Sequence, residues 1–184
     1  MKLSPSLCSA AALVLALTVM PGFAEAAKCF KGVSAKTTVN CDPEHAWHAI
    51  RSLRNEDPQD VKTISQSPAE DILEETFDDL PVIGKATCRY KETYKPYERI
   101  DYSLINSDHF KAFEGSWVLT PTREGQTIVE LSSYIDTGLT IPFAHQITNM
   151  ATMHNVRRRL EEVKKVAESR KTANSKRSNS EVAQ

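Results

Sequence analysis

The sequence predicts an α+β domain: a short helix, a run of antiparallel strands, and one long C-terminal helix. Two observations carry most of this. From residue 143 to the end of the chain there is neither Pro nor Gly, and side chains suited to a packed face recur at Phe143, Ile147, Met150 and His154, then at Met153, Val156, Leu160, Val163 and Ala167. Steps of three and four place each set along one helix face, although the face drifts from the first set to the second. Pro142 suits the first turn, where its missing N–H has no partner to lose. A helix of about 25 residues spans ~38 Å, enough to cross a small domain. The other observation is the stretch before it. Between residues 61 and 136, short segments rich in Thr, Val, Ile and aromatics are separated by Pro, Gly, Asn and Asp, which reads as successive strands. Strands in series with helices to one side are the α+β pattern.

In order, residues 34–39 alternate and form the first strand. Asp42-Pro43-Glu44 starts a helix, with Asp as N-cap, Pro at the first helical position and an acid in the first turn; Ala46, Trp47, Ile50 and Leu53 give it an apolar stripe. Residues 54–60 read as a loop or a short second helix. Strands follow at 61–67, 71–77, 86–94, 99–104, 113–120 and 126–136, with turn chemistry at Asn106-Ser107-Asp108 and Arg123-Glu124-Gly125.

The chain of 184 residues fits one domain with extensions, and its net charge of −1 argues against a nucleic-acid partner. Residues 1–26 read as a cleaved signal peptide: Lys2, an apolar run at 10–19 too short to span a membrane, Pro21-Gly22, and the small-x-small site Ala24-Glu25-Ala26. The mature protein is expected to begin at Ala27 and to reside in the periplasm or beyond. Lys28 argues against lipidation of Cys29. The folded domain is assigned to 27–168, and the Ser-, Asn- and Lys-rich stretch 169–184 is read as a disordered tail. Cys29, Cys41 and Cys88 remain after cleavage, so one disulfide and one spare thiol are expected. A straight strand at 33–39 would hold Cys29 and Cys41 too far apart, so the preferred bridge joins Cys88 to one of them. No Cys-x-x-Cys supports a redox role.

Several segments resemble the START-like superfamily, also called SRPBCC. They are Thr38-Val39 followed by Asp42-Pro43-Glu44-His45-Ala46-Trp47; Gly84 leading into Cys88-Arg89-Tyr90-Lys91-Glu92; Arg99-Ile100-Asp101-Tyr102-Ser103-Leu104; Gly115-Ser116-Trp117-Val118-Leu119; Gly125-Gln126-Thr127-Ile128-Val129; and Ile141-Pro142 before the last helix. The resemblance spans about residues 33–167 and rests on order and spacing. It implies a helix-grip fold, a curved antiparallel sheet wrapped around the C-terminal helix with an apolar cavity between them. Members of the superfamily mostly bind lipids, sterols, quinones or polyketides, and a minority catalyse cyclisation or dehydration.

No residue pattern calls for a metal or a cofactor. His45 and His48 sit near Asp42 and Glu44 but lack a third ligand and read as a solvated helix start. Ser107-Asp108-His109 are adjacent in a turn, whereas a catalytic triad converges from separate places. Tyr102, Trp117 and Tyr134 on strands, with Phe143, Ile147, Met150 and His154 on the long helix, are the expected cavity lining. Arg157-Arg158-Arg159, Lys164 and Lys165 read as a solvated face, with weak contact to anionic lipid as the other reading. The leading function is an exported protein that binds a hydrophobic small molecule without chemistry. The alternatives are a cyclase- or dehydratase-like enzyme using His154 and a strand tyrosine, and an envelope interaction module with a filled core.

Overall fold

The computed structural model describes residues 32–56 and 61–181, side chains at 55, 56, 79 and 170–181 excepted. Strand β1 (Val33–Val39) leads to helix α1 (Pro43–Glu56). Six strands follow: β2 (Val61–Gln66), β3 (Glu70–Leu80), β4 (Gly84–Lys95), β5 (Arg99–Ser107), β6 (Ala112–Pro121) and β7 (Thr127–Asp136). Helix α2 (Ala144–Glu181) closes the fold. The sheet is antiparallel throughout, in the order β1-β7-β6-β5-β4-β3-β2. Register shifts in the β2–β3, β3–β4 and β4–β5 pairings add local twist and bend the sheet. Helix α2 lies against β1, β7 and α1 on the inner face. This is the helix-grip α+β architecture.

The strands form where alternation puts one side chain of two against that helix. On β7, Thr127, Val129, Leu131, Ser133 and Ile135 are buried while the residues between them are not, the period-two signature of a sheet with one covered face. Helix α1 starts as its residues dictate. Asp42 accepts the His45 backbone N–H at 2.9 Å, satisfying one of the orphan donors of the first turn, and Pro43 occupies the first helical position. Its apolar face, Ala46, Trp47, Ala49 and Ile50, is buried in the core.

Helix α2 departs from expectation in three ways. Pro142 lies in a turn ahead of it; Phe143, at φ 62°, precedes the first helical residue and its carbonyl accepts the Ile147 N–H at 3.0 Å. The helix also runs past Ala167 through Glu181, into the stretch that composition reads as a disordered tail. Most consequentially, it buries Thr152, Val156, Leu160, Val163 and Ala167, while Phe143, Met150 and His154 are exposed. Met150 and Thr152 are two residues apart, about 200° around the helix, and so point in nearly opposite directions. One helix cannot bury both stripes against one sheet, and the C-terminal stripe is the one held by β1, β7 and α1.

Cys88 is a buried free thiol on the inner face of β4. The preferred bridge from Cys88 is therefore not formed. Cys41 is also buried, and Cys29 lies outside the described residues, as do the expected signal peptide and the expected mature N-terminus.

Candidate functional site

The inner face of the sheet carries a cluster of aromatic rings. Phe113 stands at its centre, with ring centroids 5.0 Å from Tyr102, 5.1 Å from Tyr90 and 5.6 Å from Phe77. Tyr102 can lie across β6 because its neighbour there is Gly115: a Cβ at that position would sit 2.4 Å from the Tyr102 hydroxyl and 2.1 Å from the Ser132 carbonyl. The Tyr102 hydroxyl instead donates to that carbonyl on β7 at 2.9 Å. Between these rings and α2 is an inner chamber of about 40 Å³, walled by Tyr90, Tyr102, Phe113 and Trp117 on the sheet and by Thr152, Asn155 and Arg159 on the helix. It has room for a few waters, each of which needs ~10–15 Å³ of such space.

The chamber shares Phe77, Tyr90, Glu92, Trp117, Asn155 and Arg159 with a wider cleft of about 640 Å³. That cleft lies between β2–β3, the end of α1 and the middle of α2, and is bounded by Val61, Leu53, Glu162, Val166 and Ser169 among others. The empty space thus sits beside the C-terminal stripe of α2 and not its first turns.

Three buried acids line this side of the sheet, and each meets an arginine from a helix. Asp71 and Glu75 are on β3, Glu92 on β4, and each is only 3% exposed. Arg51 of α1 reaches Asp71 at 3.2 Å, Arg54 of α1 pairs with Glu92, and Arg159 of α2 pairs with Glu75. Tyrosines complete the shells: Tyr90 donates to Glu75 at 2.9 Å, and Tyr94 donates to Asp71 at 2.6 Å, with Glu92 3.1 Å from the same hydroxyl. Arg51 also stands over the Tyr94 ring, 4.9 Å from its centroid. Burial of charge without such partners would be prohibitive.

These surroundings tune protonation. Burial pushes the Glu92 carboxyl up from the ordinary carboxylate range, against the pull of Arg54. Burial alone would lower Arg54, but the Glu92 charge together with Tyr94 and Tyr90 more than offsets it and the guanidinium is held above its usual value. The charge of Glu75 does the same for Arg159. Burial raises the Tyr90, Tyr94 and Tyr102 phenols, so all three are protonated hydrogen-bond donors at neutral pH.

Of the residues expected in the cavity, Tyr102 and Trp117 line the inner chamber. Tyr134 is on the other side of β7, where its ring meets His145 edge-on at 6.3 Å. Phe143, Met150 and His154 face outward, and Ile147 is half-buried on the same side. With His154 exposed, the acid–base pair of His154 and a strand tyrosine does not exist in this fold. Ser107 and Asp108 are occupied with backbone: Ser107 accepts the His109 and Phe110 N–H groups, and Asp108 accepts that of Thr87. Among the described residues no group of three His, Cys, Asp or Glu side chains could hold a metal ion. The residues missed by sequence are the acid–arginine pairs, Thr152 and Asn155. A signal for the acids was present: Asp71 and Glu75 alternate in phase with Leu73 and Phe77, and Glu92 with Cys88 and Tyr90. Acids in phase with an apolar face mark a paired interior charge.

Solved structures share this architecture. The Zhui aromatase/cyclase from Streptomyces sp. R1128 aligns with a TM-score of 0.64 at 15% identity, covering 75% of this chain and 93% of that one. The protein TTHA0849 from Thermus thermophilus gives 0.61 at 20% identity, covering 73% and 95%. A START superfamily protein from Mycobacterium smegmatis gives 0.50 at 18%, covering 75% and 94%. No family model matches the chain, and no curated protein matches it in sequence. At these identities the likeness establishes the fold: the chain has the START-like, helix-grip fold.

Proposed function

We propose that this protein is an exported carrier of a small, mostly apolar molecule, held in the cleft between β2–β3, α1 and α2 with its innermost part against the aromatic cluster. The observation that carries the reading is the cleft itself. Its volume of about 640 Å³ falls within the ~300–1,000 Å³ typical of ligand sites, and apolar walls with a few fixed polar groups are their usual chemistry. Of the polar groups here, Arg159, Glu92 and Asn155 also wall the inner chamber, and Glu75 pairs with Arg159; the charged Arg54, Asp78, Arg158, Glu162 and Lys165 line the rest of the cleft. They offer both donors and acceptors, which fits a ligand with a polar end. Binding without chemistry is favoured because the obvious acid–base groups are already engaged, with Glu75 held by Arg159 and Tyr90 and the phenols kept protonated. A cyclase- or dehydratase-like enzyme is the second reading. It is favoured by Glu92, whose raised carboxyl lines both chamber and cleft, and by likeness to an aromatase/cyclase.

Native mass spectrometry of protein purified from its own host tests the first reading, with displacement of a fluorescent fatty acid as the second measurement. Asn155 stands where chamber and cleft join, so Asn155→Trp should fill the space and abolish probe binding while leaving the melting temperature nearly unchanged. A protein that carries no small molecule, and a variant that binds probe like its parent, would together refute it. Turnover that vanishes in Glu92→Gln while binding survives would favour the enzyme.

A further inference from the structure

The outward stripe of α2 has no partner in the described fold. Met150 is 76% exposed, with half-buried Ile147 on the same helix face, and Phe143, just ahead of the first helical residue, is 73% exposed. Exposed Leu139 and Ile141 in the β7–α2 connection extend the stripe, and Val82 in the β3–β4 turn is 62% exposed. Strand register brings these to one end of the molecule. The β3–β4 turn follows the Leu80↔Gly84 pair, the end of β5 lies beside the start of β4 at Cys88↔Ser107, and the end of β7 lies opposite the start of β6 at Ala112↔Asp136. The three connections that follow therefore leave the sheet at the same end.

Two of the exposed residues are also held in an unfavourable backbone conformation. Val82 has φ 73° and Phe143 φ 62°, the left-handed region that Gly and Asn tolerate and that is an outlier for a β-branched or bulky side chain. A polar Asn would be easier at both sites. Local stability therefore does not account for large apolar groups there, and strain of this kind concentrates at functional positions.

The arrangement suits a bilayer better than a protein. A stable protein interface needs roughly 800 Å² of complementary surface on each partner. Here the apolar groups stand on separate connections that share the end with charged Asp78, Lys85, Asp108 and Lys111, and Lys85 is ion-paired to Asp78 at 3.1 Å. Separate side chains can enter a fluid interface without shape complementarity. With Asp136 also at this end, the acids outnumber the lysines, so anionic lipid gains nothing. We infer that this end of the domain docks on a neutral lipid surface, with Phe143, Met150 and Val82 entering the interface. The site is distinct from the basic face at Arg157, Arg158 and Lys165, and the inference does not depend on the ligand reading.

Flotation with phosphatidylcholine vesicles, with and without added phosphatidylglycerol, tests this. The parent protein should bind both alike and keep its binding in high salt. Val82→Asn/Phe143→Asn should partition at least tenfold more weakly, about 1.4 kcal/mol, with an unchanged or higher melting temperature because Asn accepts the left-handed backbone. Met150→Gln should weaken binding on its own. The inference is overturned if the parent ignores phosphatidylcholine or if the double variant binds like the parent. It is equally overturned if binding requires phosphatidylglycerol and fades with salt, or if the same substitutions instead dissolve a dimer seen by sedimentation without vesicles.

Discussion

The Glu75–Arg159 pair joins the sheet to α2 at the wall of the cleft, and its removal gives a signed, measurable outcome. In Arg159→Met the helix keeps an adaptable apolar side chain of similar reach, but Glu75 is left 3% exposed with the Tyr90 hydroxyl as its remaining partner. Breaking a buried pair in this way costs ~3–5 kcal/mol. Because the Arg159 side chain is 33% exposed, water can reach the vacated site, and the lower end, about 3 kcal/mol at pH 7, is expected. Adding Glu75→Gln removes the stranded charge while its amide oxygen still accepts from Tyr90, so the double variant should recover at least half of that loss. Urea unfolding of the three proteins at pH 7 measures this. A pH-7 loss below about 1 kcal/mol, or a double variant no more stable than Arg159→Met, would refute the coupling.

Three further outcomes follow from the fold. Asp42→Ala should cost ~0.5–2 kcal/mol as a lost N-cap and Asp42→Asn much less; burial pushes the Asp42 carboxyl up, but its His45 hydrogen bonds hold it below 3.8 overall, so the ionised cap's contribution is present above that value and is lost as pH falls through the folded pKa. Gly115→Ala should cost ~1–3 kcal/mol by overpacking, because the new methyl meets the Ser132 backbone carbonyl, which cannot step aside; parent-like urea unfolding would remove the reason for glycine there. Leu160→Ala should lose ~2–5 kcal/mol while Met150→Ala stays within about 0.5 kcal/mol, as thermal melts should report if Leu160 is core and Met150 is not.

Much of the architecture is legible along the chain because its signals are local. Alternation placed seven strands within a few residues of their positions, and Asp42-Pro43 marked the start of α1 because the cap is made by neighbours three residues apart. The candidate site is legible only in part. Tyr102 and Trp117, legible only as strand aromatics, wall the inner chamber, while Tyr134, legible in the same way, lies on the other face of β7. Asp71, Glu75 and Glu92 were not legible, because a carboxylate on a strand reads as solvated until an arginine from elsewhere is known to meet it, and Arg159 was read as part of a solvated basic face. Its partner, Glu75, is 84 residues away.

By itself, then, the sequence determined the elements, their order, the fold class and the cap of the first helix, since each depends on interactions within a few residues. Only the tertiary structure decided which of two apolar stripes α2 buries. Both have helical spacing, and the choice belongs to β1, β7 and α1, which cover one side of the helix alone. The position of the empty space was decided the same way. A cleft is the volume left between side chains from distant segments, here Val61, Tyr90, Trp117 and Val166, and no local pattern encodes a difference between the volumes of parts that meet only in the fold.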